Sequence, residues 1–529
     1  MLSLLDRFNT LWRRLTPSAA PPRHFFTPLE VGQLYQNRTT AGIDDQTWND
    51  LLLPSYEEML TFDTSIFGRQ MLHLHLRAGQ DDVACAAQRL RLQTLTADLP
   101  RLDALEASLR TLRHADAEVA ALLFSEGTIA TPGWARWLWL LPILLLASIA
   151  ALATLSLGWM LTLLALAPLM ALQIRYHREL DTWNGALRSL HALLRTTALL
   201  GKQGGALLEP CIEAQGRAER LHVRLARSLS IRMTPGALQY ADWFGARNVA
   251  HYFKTMRIVA LERDFLRTCF FACAKLEADV TLARHLLAQQ RWCWAERGAA
   301  RELLLDHGVH PLMPQPAPLT VRLQQRGAFI SGQNASGKST FLRMVGLNLI
   351  VARAFGFCYA DQARLPPVAV RASMQNEDSL LGGESLYMAE LRRARELLQA
   401  ADGAPGVCLI DEIFRGTNHL ESVSAAAAVL EQLAARDLVL VSSHNLVLAP
   451  LLEAQLAPFC IDTSSGAPVL APGVLRAPNG IALLATQGFG AQIEARAAEV
   501  AQCLSSHLTA PLPFVAAKAE TTGERLVLL

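Results

Sequence analysis

The sequence predicts an α/β domain with a mostly parallel sheet, C-terminal to an all-α core that is interrupted by a two-helix transmembrane hairpin. Three observations lead there. The run from Trp137 to Ile174 contains no charged side chain. Leucines flanking that run recur at the spacing of one helix face. From about Leu319 onward, short apolar strands alternate with glycine-bearing loops and helical segments, the pattern of a parallel sheet.

Composition sets the outer limits. A chain of 529 residues is too long for one ordinary domain and suggests three or four units. Hydrophobic residues make up 51% and charged residues 18%, more apolar than a typical soluble protein and consistent with partial membrane embedding. A net charge of +2 excludes a global basic excess for nucleic acid. The nine cysteines are dispersed, and Cys269 and Cys273 have no partnering His–Cys cluster. They read as reduced thiols of a cytosol-facing protein, neither a disulfide framework nor a zinc site.

The first segment places Leu4, Leu5, Phe8, Leu11, Trp12 and Leu15 at helical spacing, with Arg7, Arg13 and Arg14 available to a polar face. It suits a helix on an anionic membrane surface or one packed on its own protein. The prolines from Pro17 to Pro22 end it. In the uncharged run, a single straight helix would reach roughly 57 Å, nearly twice a bilayer's hydrocarbon core. Two passes turning near Ser156-Leu157-Gly158 fit better, with Trp134, Trp137, Trp139 and Trp159 at interfacial positions. Arg136 before the run, and Arg175, His177 and Arg178 after it, put both flanks in the cytoplasm. The spans hold no ionisable residue to line a substrate path, so the hairpin reads as an anchor contacting lipid through residues 137–174. The expected location is the inner (cytoplasmic) membrane, two-pass, with the α/β domain cytoplasmic. Around the hairpin, Leu102, Leu105, Leu109 and Leu112 form one helical stripe, and Leu180, Trp183, Leu187, Leu190 and Leu194 another.

The chemistry lies in the α/β part. In "AFISGQNASGKST" a strand leads into Gly332-x-x-x-x-Gly337-Lys338-Ser339, the P-loop pattern, followed by a helical segment. The glycines let backbone N–H groups close around phosphates, Lys338 reaches the terminal phosphates, and Ser339 ligates Mg²⁺, with Thr340 next to it. "GVCLIDE" is an apolar strand ending in Asp411-Glu412. Asp411 would hold Mg²⁺ and Glu412 would polarise the attacking water. "LVLVSSHN" is a further strand ending at His444, placed to hydrogen-bond the γ-phosphate or the lytic water. Between them, "LLGGES" sets Gly382 and Gly383 before Ser385, which opens the helix "LYMAELRRARELL". A helix N-terminus with a cap hydroxyl suits an anion. Because the chain's own P-loop covers one set of phosphates, Ser385 is expected to act in trans on a partner's nucleotide. That makes a homodimer with two composite sites.

With these residues assembled, the chain resembles the MutS-family mismatch-repair ATPases more than ABC transporters. The match runs through "HPLM" (His310 to Met313), "SGQNASGKSTFLR", "GGESLYMAEL", "LIDEIFRGTN" and "SSHN". The family reads Gly-Pro-Asn in its P-loop; here Gln333 replaces the proline and Asn334 is kept. Asp411, Glu412, Arg415, Gly416 and Thr417 match its Asp-Glu-x-x-Arg-Gly-Thr. "GIDDQTWNDL" and "LTFDTSIFGRQMLHLHL" are similar to the start of the MutS core, and "GIALLATQGFGAQIEARAAEV" to the closing helices that help dimerise the ATPase units. The resemblance implies an ABC-like P-loop ATPase using ATP and Mg²⁺, dimerising through that domain, and implies DNA as a partner through the family alone. It also implies that Asn334 belongs to the nucleotide loop and that Ser385 contacts the opposite subunit's γ-phosphate. The family's Phe-x-Glu wedge motif is absent, and no segment before Gly42 is long enough for its mismatch-reading domain.

The expected organisation is 1–28, an amphipathic segment; 29–130, a helical MutS-core-like region; 131–178, the transmembrane hairpin; 179–305, a second helical, lever-like region; and 306–529, the ATPase domain with its dimerisation helices. The expected function is a membrane-anchored MutS-like ATPase that moves helical arms. The alternatives are an ABC-type transporter subunit, which requires more spans, and a nucleotide-gated membrane scaffold without DNA binding. No small-molecule substrate other than ATP is evident.

Overall fold

The computed structural model describes residues 24–38, 42–127, 131–153, 155–227, 242–374, 386–399, 405–464, 466–475 and 491–508. The expected N-terminal helix lies outside them, as does Ser385. The chain folds into a helical region followed by an α/β region with parallel strands.

The helical region opens with α1 (Pro28–Gln36), started by a capping box in which Thr27 and Glu30 satisfy each other's backbone amides. There follow α2 (Asp45–Asp50), α3 (Leu53–Thr61), α4 (Ile66–Ala78), α5 (Asp82–Ala97), α6 (Leu99–Leu109) and α7 (Ala120–Phe124). After the apolar run come α10 (Glu209–Leu225), α11 (Arg247–Leu261) and α12 (Arg263–Ala288). Both leucine stripes read from the sequence are buried, from Leu102 through Leu112 and from Leu180 through Leu194.

The apolar run forms α8 (Leu140–Ala151) and the first part of α9 (Gly158–Gln203). They pack side by side through Leu145 and Leu169, and the Thr162 hydroxyl donates to the Ser148 carbonyl at 3.3 Å. Outward-facing Leu144, Leu146, Leu163 and Leu164 remain more than half exposed. Among the described residues one helix, α9, is long and apolar enough to cross a membrane. The two apolar helices are therefore unequal: α8 extends about 18 Å, short of a hydrocarbon core of roughly 30 Å. Pro142 lies in the first turn of α8, where its missing N–H leaves no helical hydrogen bond unmade. The preceding turn, Gly133–Trp137, is 3₁₀. α9 runs unbroken past residue 178, where the sequence pattern suggested that the hairpin region ends.

The α/β region begins earlier than Leu319, with β1 (Cys293–Trp294), β2 (Glu296–Arg297), β3 (Glu302–Gly308) and β4 (Leu319–Gln324). The expected boundary at 305/306 therefore falls inside β3. Next come β5 (Gly327–Gly332), helix α13 (Lys338–Phe355), β6 (Phe357–Cys358), β7 (Gln362–Leu365) and β8 (Ala369–Ser373). The remainder is α14 (Leu386–Gln399), β9 (Gly406–Asp411), α15 (His419–Arg436), β10 (Leu438–Ser442), α16 (Leu448–Leu451), β11 (Leu456–Asp462), β12 (Val469–Pro472) and α17 (Ala491–Leu508).

The main sheet has the order β12-β11-β5-β10-β9-β8, parallel except for β12. β5 and β10 are buried along their whole length, which is why they read as continuous apolar runs: helices cover both faces. Gly327 is required at the start of β5, because a Cβ there would collide with the Val439 carbonyl. A second sheet, β2-β7-β3-β4, lies beside it.

The helical region is bonded into the α/β region. The Tyr359 hydroxyl meets the Tyr56 hydroxyl of α3 and Nε2 of His285 on α12, each at 2.7 Å. Asp44 and Thr47 at the start of α2 bond Arg393 of α14, and the Thr47 hydroxyl also accepts from the Ala372 amide of β8 at 2.9 Å.

Candidate nucleotide site

The site occupies the carboxyl edge of β5, β9 and β10, where parallel α/β sheets present their loops. β5 ends at Gly332 and α13 begins at Lys338. Between them Ala335 (φ +62°) and Gly337 (φ +93°) adopt left-handed backbone, turning the chain tightly into the helix. A Cβ at Gly332 would lie 2.6 Å from Ser336 Oγ, so the loop folds closely back on the end of β5. Ser336 Oγ is buried and makes no hydrogen bond. Lys338 is buried, and its Nζ donates to the carbonyls of Gly332 and Gln333, both at 3.1 Å. Burial pushes its ammonium below the ordinary lysine value, and nearby Asp411 and Glu412 oppose that shift. Ser339 and Thr340 lie in the first turn of α13, and Asn334 lies exposed in the loop.

The acidic pair sits at the end of β9, beside the end of β10. Asp411 closes β9 opposite Ser442 of β10, whose hydroxyl donates to Asp411 Oδ1. Glu412 has φ +54° and its amide donates to the Ser442 carbonyl at 2.9 Å. That sparsely populated backbone costs on the order of 1 kcal/mol or more, and it turns the Glu412 side chain out of the strand. The carboxylate lies 3.1 Å from His444 Nε2 and 3.5 Å from Arg415 Nη1. His444 is about half exposed, at 49%. Lys338, Asp411, Glu412 and His444 are thus brought together at one edge, with Ser339 at the base of the same loop.

One connection was not visible in the sequence. Arg415 also reaches Glu390 of α14, Nε to Oε1 at 3.5 Å, and the Gly416 amide donates to Glu390 Oε2 at 3.3 Å. The Glu390 side chain is 1% exposed. Within "LYMAELRRARELL" it looks like any solvated helix charge; only the packing of the 412–416 turn against α14 shows otherwise. A Cβ on Gly416 would stand 2.7 Å from the Tyr387 amide, so the turn lies flush on that helix. Phe414, fully buried with φ +59°, meets the Tyr387 ring edge-on at 6.0 Å.

The donor set fits a Mg²⁺-bound nucleotide triphosphate: a glycine-closed loop, a lysine ammonium, a buried hydroxyl without an internal partner, and a carboxylate and hydroxyl able to hold a hard cation.

Comparison with known proteins agrees in the same region. Residues 328–462 match the family description "MutS domain V". The chain is 33% identical over 168 residues to "DNA mismatch repair protein MutS 1" of Halobacterium salinarum, covering 31% of this chain and 19% of the relative. It is 30% identical over 227 residues to "DNA mismatch repair protein MutS" of Synechococcus elongatus, covering 40% and 24%. The same-named protein of Natronomonas pharaonis is 29% identical over 272 residues, covering 48% and 31%. The chain thus spans less than a third of the length of each of these relatives.

Proposed function

The chain belongs to the MutS family, and from that premise we propose that it is a membrane-anchored, dimeric ATPase in which nucleotide binding moves the helical region. The observation that carries this reading is the convergence of Lys338, Asp411, Glu412 and His444 at one sheet edge.

In this reading the loop from Gly332 to Gly337 and the Lys338 ammonium hold phosphate oxygens, with Asn334 within the loop and Thr340 in the first turn of α13. Ser339 and Asp411 hold Mg²⁺, which when bound offsets negative charge on the phosphates. Glu412 accepts a hydrogen bond from the attacking water and draws its proton. His444, whose Nε2 lies 3.1 Å from Glu412 Oε1, fixes the direction in which that carboxylate points. Arg415 holds the other carboxylate oxygen and ties it to Glu390 on α14. Ser385 immediately precedes α14 and acts on the partner subunit's nucleotide. Movement of that helix on dimer closure would thereby be felt at Glu412.

Anchoring rests on the exposed leucines of α8 and α9, which include Leu144, Leu146, Leu163 and Leu164. We assign both flanks, with the ATPase domain, to the cytoplasmic side. DNA is proposed as the ligand of the helical region because the relatives are named for mismatch repair.

The test is phosphate release by detergent-purified protein. Lys338→Ala should lose nucleotide binding. Glu412→Gln should bind ATP and lower turnover about 100-fold or more, the scale of a lost general base. Normal hydrolysis by either variant would sink the site assignment. DNA binding is tested with homoduplex, mismatched and branched duplexes, with and without ATP, over a salt series. Salt-sensitive, ATP-dependent preference supports it, and no binding under any condition refutes it.

A further inference from the structure

We propose that Cys293 and Cys358 form a reversible disulfide, making a redox modification site at the joint between α12 and the P-loop helix α13. β1 and β6 pair antiparallel with Cys293 directly opposite Cys358, and the two sulfurs lie 3.7 Å apart. Directly opposed residues in such a pair have Cα atoms about 4.5–5.5 Å apart, inside the range a disulfide needs. Bonding therefore requires a side-chain rotation and no backbone movement.

The two thiols differ in access. Cys293 is partly exposed and Cys358 is buried. The hydrogen bond between them lowers Cys293 and raises Cys358 relative to an ordinary thiol, so the reachable sulfur is also the more nucleophilic. By contrast, Cys211, Cys269, Cys273 and Cys408 are buried.

With hydrogen peroxide as oxidant, the Cys293 thiolate attacks one peroxide oxygen. The O–O bond breaks, an S–O bond forms, and the hydroxide expelled takes up the proton the thiol had released and leaves as water, giving a sulfenic acid. The Cys358 sulfur then attacks that sulfur, the S–S bond forms, the S–O bond breaks, and a second water leaves. Two electrons pass from the thiol pair to the peroxide. A dithiol returns them by exchange.

The location gives the bond its effect. Cys293 follows α12 by a few residues, and Cys358 follows α13. The residue after Cys358 is Tyr359, whose hydroxyl already meets His285 of α12 and Tyr56 of α3. The bond would close a ring spanning 65 positions that includes the whole nucleotide loop. Any shift of α13 against α12 would have to break or strain it. This consequence rests on the proposed ATPase reading; the bond itself does not.

The experiment uses full-length protein in detergent, treated with hydrogen peroxide at neutral pH, alkylated, and digested without reductant. Mass spectrometry should find the Cys293–Cys358 peptide in most molecules, and dithiothreitol should remove it. Cys293→Ser and Cys358→Ser should each abolish it. Turnover should fall several-fold in the oxidised wild type, recover with dithiothreitol, and be insensitive to peroxide in Cys293→Ser. Absence of the linked peptide in folded protein, or its appearance only after denaturation, would overturn the site. A linked peptide with unchanged turnover would overturn the proposed control of α13. Absence of turnover in the reduced wild type would instead overturn the ATPase reading, with the peptide still deciding the disulfide.

Discussion

Replacing Arg393 with methionine should loosen the seam between the helical and α/β regions. Its side chain is 6% exposed and makes five hydrogen bonds. Nε and Nη2 donate to the Ala372 carbonyl at 3.2 and 2.5 Å, and Nη2 also donates to the Thr47 hydroxyl and Asp44 Oδ1, both at 3.1 Å. Nη1 donates to Glu396 Oε2 at 3.1 Å. The two carboxylates are 42% and 51% exposed, so each of those pairs contributes only a fraction of about 1 kcal/mol. The weight falls on the buried Ala372 carbonyl, which loses a charged donor worth about 1.5–3 kcal/mol. Thr47 keeps its bonds to Asp44 and the Ala372 amide when the guanidinium is gone. Methionine also retains most of the aliphatic stem. Together these place the loss near 2–3 kcal/mol, below the ~3–5 kcal/mol of a buried pair left with a bare charge. For a unit of this size that lowers the apparent unfolding midpoint by about 5 °C or more. Thermal unfolding in detergent, followed by intrinsic fluorescence, reads it directly. A midpoint within about 1 °C of wild type would refute the claim that this guanidinium holds the seam.

Three further outcomes follow from the geometry. Glu390→Ala frees Arg415 and should reduce ATP turnover about tenfold while nucleotide binding stays intact; equal losses in both would mean that the helix merely misfolds. His310 is buried and held down to about 4 by burial and by Arg343, below its unfolded value near 6.5. Its folded form therefore resists protonation: the contribution is complete above about pH 6.5 and is lost as pH falls toward 4, at most about 3 kcal/mol. His310→Gln should flatten the decline of the unfolding midpoint between pH 7 and 5, and an unchanged slope would contradict this. Gly327→Ala drives a Cβ into the Val439 carbonyl and should cost about 3 kcal/mol, seen as loss of soluble yield after detergent extraction; wild-type yield and midpoint would show that the strand can shift to accept it.

What the sequence revealed was what is local. The P-loop, the Asp411-Glu412 strand end and His444 are each specified within a dozen residues, so their elements are legible in the sequence alone. The leucine stripes were equally legible because burial follows the helical period. Contacts between distant segments were not. Nothing near Tyr56 or His285 points to Tyr359, and Glu390 has the look of a surface charge until the 412–416 turn covers it. Elements of two residues, such as β1 and β6, carry too little pattern to be read at all, which is also why the opposition of Cys293 and Cys358 was hidden. The unequal lengths of the two apolar helices are not legible because hydropathy counts residues and does not mark where each hydrogen-bonded ladder starts and stops.

The continuity of α9 has a kinematic consequence. At 1.5 Å per residue its 46 residues form a rod about 69 Å long. A rotation of about 5° at one end sweeps the other through about 6 Å, slightly more than one helical pitch. Pro168 is the one interior break in its ladder of hydrogen bonds, lying in the apolar third. Bending compliance is therefore concentrated there, and the remainder transmits torque as a stiff shaft whose stroke grows with distance from its pivot.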